Sequence, residues 1–283
     1  MSLRKLPEIK AFQGYDALTF EPPESTLEAF DPNVVAVEES ENTITIFGKI
    51  GLDPLTATDN TERRVAAALR AIGREDVNVN INSPGGNFFN GMGMYNVLRA
   101  HPARVTINVM GMAGSAASIV AMAGDEILIA DGSFIMVHNS SAVTLGNKYD
   151  TADATEILNE IDGAMADVYA ARSGADRDDA IAWMDRHRGV GTMFNASRAI
   201  EVGLADARLD ANKVKVTAEM PKAVPAERVI ENALVVAGSH SPKEAKAFLA
   251  EFKSGTRDAA KPGTRDAAKV TAALKRLQQT IRS

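Results

Sequence analysis

The sequence predicts an α/β fold built from parallel crossover units, and three observations carry that prediction. Segments that alternate apolar and polar residues recur between segments whose apolar residues fall at helical spacing. Two of the strand-like segments run straight into turns of small residues, Ser83-Pro84-Gly85-Gly86 and Gly111-Met112-Ala113-Gly114-Ser115. The 283 residues are 45% hydrophobic and 24% charged, enough apolar content for a substantial core without crosslinks.

The elements follow in order. The opening stretch to about Glu41 is acidic and broken by Pro22-Pro23 and Pro32, so it reads as an irregular arm. Thr43 to Phe47 alternates and is β-branched, which makes it a strand. A helix is expected from about Asp59 to Ile72, with Val65, Ala66, Leu69 and Ile72 at helical spacing and Gly73 at its end. Val77 to Ile81 alternates strictly and gives a second strand that enters the Ser83–Gly86 turn. Gly91 to Arg99 reads as a helix and Arg104 to Val109 as a strand. The small-residue run from Gly114 to Ala123 suits a closely packed, buried helix. Ile127 to Ile129 and Phe134 to Val137 are two more short strands. A long helix spans about Thr151 to Arg172, with Ile157, Ile161, Met165, Val168 and Tyr169 on one stripe. That stripe fits either the chain's own sheet or a second copy.

Beyond Asp210 the pattern changes. Ser241-Pro242-Lys243-Glu244 has the form of a capping box with proline at the first helical position, and opens a helix carrying Leu249 and Phe252. The segment Gly255 to Lys261 (GTRDAAK) recurs as Gly263 to Lys269, joined by Pro262. Two copies are too few for a solenoid, so the pair reads as a duplicated linker. The last helix places Val270, Leu274, Leu277 and Ile281 at near-heptad spacing, which suits a partner helix or a return onto the body. Residues 1–35 therefore form an arm, 36–210 the main domain, and 211–283 a partly helical extension.

Composition narrows the chemistry. Cysteine is absent, which removes disulfide frameworks, cysteine zinc sites, iron–sulfur clusters and thiol nucleophiles. Only four histidines are present (His101, His138, His187 and His240), so a histidine-rich metal centre is hard to assemble. Any nucleophile must be a hydroxyl, an amine or a carboxylate. Residues 211–283 carry 14 Lys+Arg against 7 Asp+Glu, whereas the chain as a whole has a net charge of -6, so an acidic body bears a basic tail. The tail is either a solvated segment or a contact for a separate partner. No signal-peptide core and no run of about 20 apolar residues is found, which points to a cytosolic setting without a membrane.

Ser115 follows a strand, opens a helix and has Gly114 and Ala116 beside it. Such a serine has its hydroxyl raised and the next amide available, the arrangement of a nucleophile, although a helix cap reads the same way. His138 ends the strand Phe134 to Val137 and would be the general base of a Ser115 and His138 pair. Gly85 and Gly86 permit positive φ and leave backbone N–H groups unobstructed, which suits an oxyanion hole as well as a plain turn.

Taken together, the order strand, SPGG, helix, strand, GMAGSAA, helix, two strands ending in MVH, a long helix, and Asn195 to Asp206 (NASRAIEVGLAD) is similar to the Clp protease proteolytic subunit family. Its phage and prophage relatives, the Clp-like head-maturation proteases, resemble the chain further, because they too carry extensions outside the peptidase core. The resemblance covers about residues 36 to 210. It implies a ββα superhelix of the crotonase type, assembled into stacked rings, and a serine endopeptidase that needs no metal or organic cofactor. By position, Ser115 matches the nucleophile, His138 the base, and Gly86 and Ala116 the oxyanion-hole amides. Gly85, Asn87 and Phe88 lie in the segment along which an extended polypeptide substrate would add as a strand.

One position departs from the family pattern. Where an acidic residue would orient the histidine, anchoring on the Asn195–Asp206 helix gives Gly191. Asp185 is only a weak substitute, because Asp185-Arg186-His187-Arg188 reads as an exposed helix end. The resemblance also allows phage capsid or scaffold proteins as partners and leaves an ATPase partner open. The alternative function is a weakened or inactive assembly protein on the same fold.

Overall fold

The computed structural model describes residues 19–20, 42–53, 58–210, 230 and 246–250. The strands are β1 (Thr19–Phe20), β2 (Thr43–Phe47), β3 (Gly51–Asp53), β4 (Thr58–Asn60), β5 (Val77–Ser83), β6 (Val105–Gly114), β7 (Glu126–Ile129), β8 (Phe134–Val137), β9 (Ala142–Val143), β10 (Thr192–Asn195) and β11 (Ala207–Arg208). The helices are α1 (Glu62–Ile72), α2 (Phe88–Arg99), α3 (Ala116–Ala121), α4 (Lys148–Ser173), α5 (Arg177–Gly189) and α6 (Ala196–Glu201).

Seven strands form the main sheet, along the path β10-β8-β6-β5-β2, with β7 between β6 and β11. β2, β5 and β6 are parallel, as are β6 with β7 and with β8, while β10 runs antiparallel to β8. The long strand β6 changes partner along one side. Its first half, Thr106 to Val109, pairs with β7, and its last residues, Met112 to Gly114, pair with β8. That exchange lets β5, β6 and β8 finish at one edge, where an open parallel sheet ordinarily places its ligand.

The core joins Val79, Ile81, Ile107, Val109 and Ile127 of the sheet to Leu98, Ile119, Ile161, Val168 and Tyr169 of the helices. The stripe on α4 is thus absorbed by the chain's own body, since Ile157, Ile161, Met165, Val168 and Tyr169 are all buried in this cluster. It offers nothing to a second copy. Exposed apolar residues lie instead just before and at the start of α4, at Val143, Leu145 and Tyr149.

Several boundaries shift for local reasons. α1 begins at Glu62, because Asp59 belongs to β4 and Asn60 is held in place by donating to the carbonyls of Phe47 and Lys49. α2 begins at Phe88, three residues before Gly91, because the Asn87 side chain caps the Asn90 N–H at 3.0 Å. The alternation in β5 leaves only Asn78 of its three asparagines outside. Asn80 and Asn82 are buried, with Asn80 accepting from the Asn108 side chain and Asn82 from the Met112 N–H.

In the arm, β1 pairs antiparallel with β9, Thr19 opposite Val143 and Phe20 opposite Ala142. In the extension, residues 246–250 are helical and Leu249 is buried. Phe252, the duplicated GTRDAAK segment and the heptad-like C-terminal stripe lie outside the described residues. Among the described residues no helix is long and apolar enough to cross a membrane.

Candidate active site

Strand register builds the site. Gly114 of β6 lies opposite Met136 of β8, so the residues that leave the two strands, Ser115 and His138, emerge side by side. The Ser115 N–H donates to the Met136 carbonyl at 3.0 Å, which locks the turn to β8. On the other flank Ser83 of β5 lies opposite Ala113, and this places Gly85 and Gly86 against the same turn. Gly85, at φ +100°, has to be glycine: a Cβ there would sit 2.7 Å from the Gly114 carbonyl oxygen and 3.0 Å from the Ala116 nitrogen.

Ser115 has φ 52° and ψ −127°, a conformation that a residue with a side chain seldom adopts. Such a backbone costs about 1–3 kcal/mol and persists where the surroundings over-determine it. They do so here. The Ser118 hydroxyl donates to the Ser115 carbonyl at 2.6 Å and is itself 2.7 Å from the Tyr169 hydroxyl. Because the Ser118 proton is committed to the carbonyl, Tyr169 donates to Ser118. The turn is thus held from both its amide and its carbonyl end.

The His138 Nε2 lies 2.7 Å from the Ser115 Oγ, with the histidine 3% exposed. Burial pushes the ring down to about 4 from its ordinary 6.5, while a hydrogen bond with the Asn139 backbone works in the opposite direction. The ring is therefore neutral at pH 7 and free to accept a proton from the serine. Ser115, His138, Gly86, Ala116 and Phe88 line one cleft together with Ser140, Ser141 and Met165. Gly85 and Asn87 flank it as the turn and the cap of α2, and Phe88 belongs to the first turn of that helix.

The ring has no carboxylate at the family position. Gly191, at φ +90°, precedes β10, whose Thr192 pairs with Val137. A Cβ at Gly191 would overlap the Val137 carbonyl oxygen and come within 2.6 Å of the His138 Cα. The backbone itself fills the space that an acid would need. Asp185 accepts from the Asn139 side chain at 3.1 Å, so it contacts the neighbour of the histidine rather than the ring. Helical geometry stops just after it: Arg186 is extended, and His187 and Arg188 are left-handed at φ 54° and 62°.

Four residues near the site escape a reading of the sequence: Asn139, Ser140, Ser141 and Asp162. Asp162 accepts from the Ser140 N–H at 2.5 Å. Its signal was present, because an aspartate set three residues before Met165 and seven before Tyr169 lies on the buried stripe of α4 and needs a polar partner there. Elsewhere, His101 is engaged with the Glu75 carbonyl and takes no part in the cleft. Among the described residues no group of three or more acidic or histidine side chains is placed to hold a metal ion.

Comparison with known proteins agrees with this architecture. Residues 53–211 match the model of the Clp protease family. The chain is 30% identical over 139 residues to the ATP-dependent Clp protease proteolytic subunit of Deinococcus radiodurans, covering 48% of this chain and 66% of that protein. It is 30% identical over 136 residues to the ATP-dependent Clp protease proteolytic subunit 3 of Rhodococcus jostii, covering 47% and 65%. The chain thus spans just under two thirds of the length of these relatives. A ClpP1 mutant from Listeria monocytogenes superposes with a TM-score of 0.50 at 16% identity, over 62% of this chain and 95% of that one, and so shares the fold. With a family match that covers more than half of its length and strands that meet at a Ser115–His138 edge, the chain belongs to the Clp protease family.

Proposed function

We propose that the chain is a serine endopeptidase working through Ser115 and His138. The 2.7 Å contact between Ser115 Oγ and His138 Nε2, at a positive-φ turn beside Gly86 and Ala116, carries the reading. Ser115 Oγ attacks the scissile carbonyl carbon while its proton passes to His138 Nε2. The Gly86 and Ala116 amides face the oxyanion that forms. His138 then gives the proton to the leaving amine, and the C–N bond breaks to leave an acyl-serine. Water attacks the acyl carbon, His138 takes its proton and returns it to Ser115 Oγ, and the product acid leaves. The extended substrate lies along Gly85 to Asn87.

A ring buried without an adjacent carboxylate is neutral at pH 7 but a weaker base than one in a full triad, so turnover should be slow. Self-association into rings fits the family and the exposed Val143, Leu145 and Tyr149. A role in phage or prophage head maturation, acting in the cytoplasm on capsid or scaffold proteins, fits the long segments outside the family match. Labelling by a fluorophosphonate and hydrolysis of a peptide substrate test the proposal. Both should be present in the wild type and absent from Ser115→Ala, and undiminished labelling of the variant would overturn it. The closed space at Gly191 favours a second reading, an assembly protein without activity, which predicts no labelling of either form.

A further inference from the structure

We infer that Ser118 and Tyr169 are positioning residues for the oxyanion hole: they grip the Ser115 carbonyl and thereby aim and strengthen the Ala116 N–H on the other side of the same peptide. This deepens the peptidase reading and rests on it.

Each link is a short hydrogen bond or a covalent plane. The Ser115 carbonyl oxygen accepts from the Ser118 hydroxyl at 2.6 Å and from the Ser118 N–H at 2.9 Å, so both of its lone pairs are taken. The Tyr169 hydroxyl stands 2.7 Å from the Ser118 Oγ and, with the Ser118 proton committed to the carbonyl, donates to it. The Ser115 carbonyl and the Ala116 N–H belong to one planar trans peptide and point in opposite directions. Fixing the carbonyl toward Ser118 therefore fixes the N–H on the cleft side, where Ala116 lines the site beside Ser115 and His138. A carbonyl that accepts hydrogen bonds also polarises its peptide, so the N–H becomes a better donor. Gly85 keeps that donor uncovered, since a Cβ there would come within 3.0 Å of the Ala116 nitrogen.

Two further observations point the same way. A residue with a side chain seldom holds φ 52°, so without the grip the peptide after Ser115 would relax toward a commoner orientation. Ser118 and Tyr169 are both fully buried, and burying a hydroxyl is unfavourable unless it is bonded. Alanine and phenylalanine would fill the same space with no polar atom to satisfy. The two hydroxyls instead form a chain that ends on the one carbonyl whose peptide follows the nucleophile.

Ser118→Ala removes the hydroxyl grip and leaves the Ser118 N–H in place, whereas Tyr169→Phe removes only the outer bond. In peptide hydrolysis kcat should fall about tenfold in Ser118→Ala and about threefold in Tyr169→Phe with KM unchanged, a fraction of the roughly 10²–10³ lost with a whole oxyanion donor. Thr155→Ala is the control, because it deletes an exposed helix hydroxyl that bonds the Thr151 carbonyl, and its kcat should not change. A second readout is independent of activity. Ser-Ala occurs only at Ser115-Ala116 and Ser141-Ala142, so 13C in the serine carbonyl and 15N in alanine give two carbonyl-to-amide signals, assigned with Ala142→Gly. In Ser118→Ala the Ser115 carbonyl and the Ala116 amide proton should both move upfield while the other pair stays in place. Unchanged kcat per folded protein, a rise in KM alone, or an unmoved Ser115 carbonyl would overturn the inference. If Ser118→Ala does not fold, Tyr169→Phe decides by the same two readouts. A wild type that hydrolyses no peptide sinks the peptidase reading, and the carbonyl signal still judges the grip separately.

Discussion

Acidification should weaken the fold through His138. In the unfolded chain the imidazole titrates at its ordinary 6.5, whereas burial holds it at about 4 in the folded protein. As pH falls, the unfolded state therefore takes up the proton first, and the folded state loses stability from about pH 6.5 down to about pH 4. Above that window the contribution is complete and constant. The gap is worth about 3 kcal/mol in all, of which about 2 kcal/mol is gone by pH 5. Urea unfolding of the wild type and of His138→Gln, at equal protein concentration between pH 8 and pH 4.5, isolates this term. The difference between their unfolding free energies should be flat above pH 7 and should shift by about 2 kcal/mol, to the disadvantage of the wild type, by pH 5. Parallel curves would refute the buried neutral ring, and with it the argument that His138 is poised to accept a proton from Ser115.

Two further outcomes follow from the geometry. Gly191→Asp should not restore a triad, since the new Cβ meets the Val137 carbonyl at a positive φ. It should cost about 2 kcal/mol or more in thermal or urea unfolding and slow fluorophosphonate labelling, and a stable variant that labels faster would contradict this. Leu145→Glu changes a side chain that is 88% exposed, so subunit stability should move by no more than about 0.5 kcal/mol. If this patch is covered in an assembly, the mass measured by light scattering should fall in the variant, and an unchanged mass would remove the patch from any interface.

Much of the architecture could be read from the chain because the strands advertise their ends. Ser83-Pro84-Gly85-Gly86, Gly114-Ser115 and His138 each stand where an alternating or apolar run stops, and parallel strands gather such ends at one edge. Asn80 and Asn82 were harder to read. Alternation suggests an exposed face, and only the neighbouring strand supplies the Asn108 amide and the Met112 N–H that make burial acceptable. Phe88 stands in the segment expected to run beside an extended substrate, but the Asn87 cap draws it into α2. The spacing of Asp162 marks it as a polar residue on a buried stripe, but its partner, a backbone N–H 22 residues away, is supplied by the fold alone. The filled space at Gly191 depends on how closely β10 approaches the end of β8, a distance that residue types do not encode.

The four side chains of α4 that bear on the site and its frame have a mechanical consequence. Asp162 holds the Ser140 peptide, Met165 lines the cleft, Tyr169 supports the turn at Ser115 through Ser118, and the Arg172 guanidinium pairs with Asp206. They fall along eleven residues of one helix, ten steps or about 15 Å of its length at an α-helical rise. A helix resists bending over that distance, so α4 acts as a keel to which the backbone after His138, the floor of the cleft and the turn at Ser115 are all fastened. A displacement of the keel cannot loosen one of these without the others. The cleft is therefore set or unset as a whole, and what moves α4 shifts every part of its lining at once.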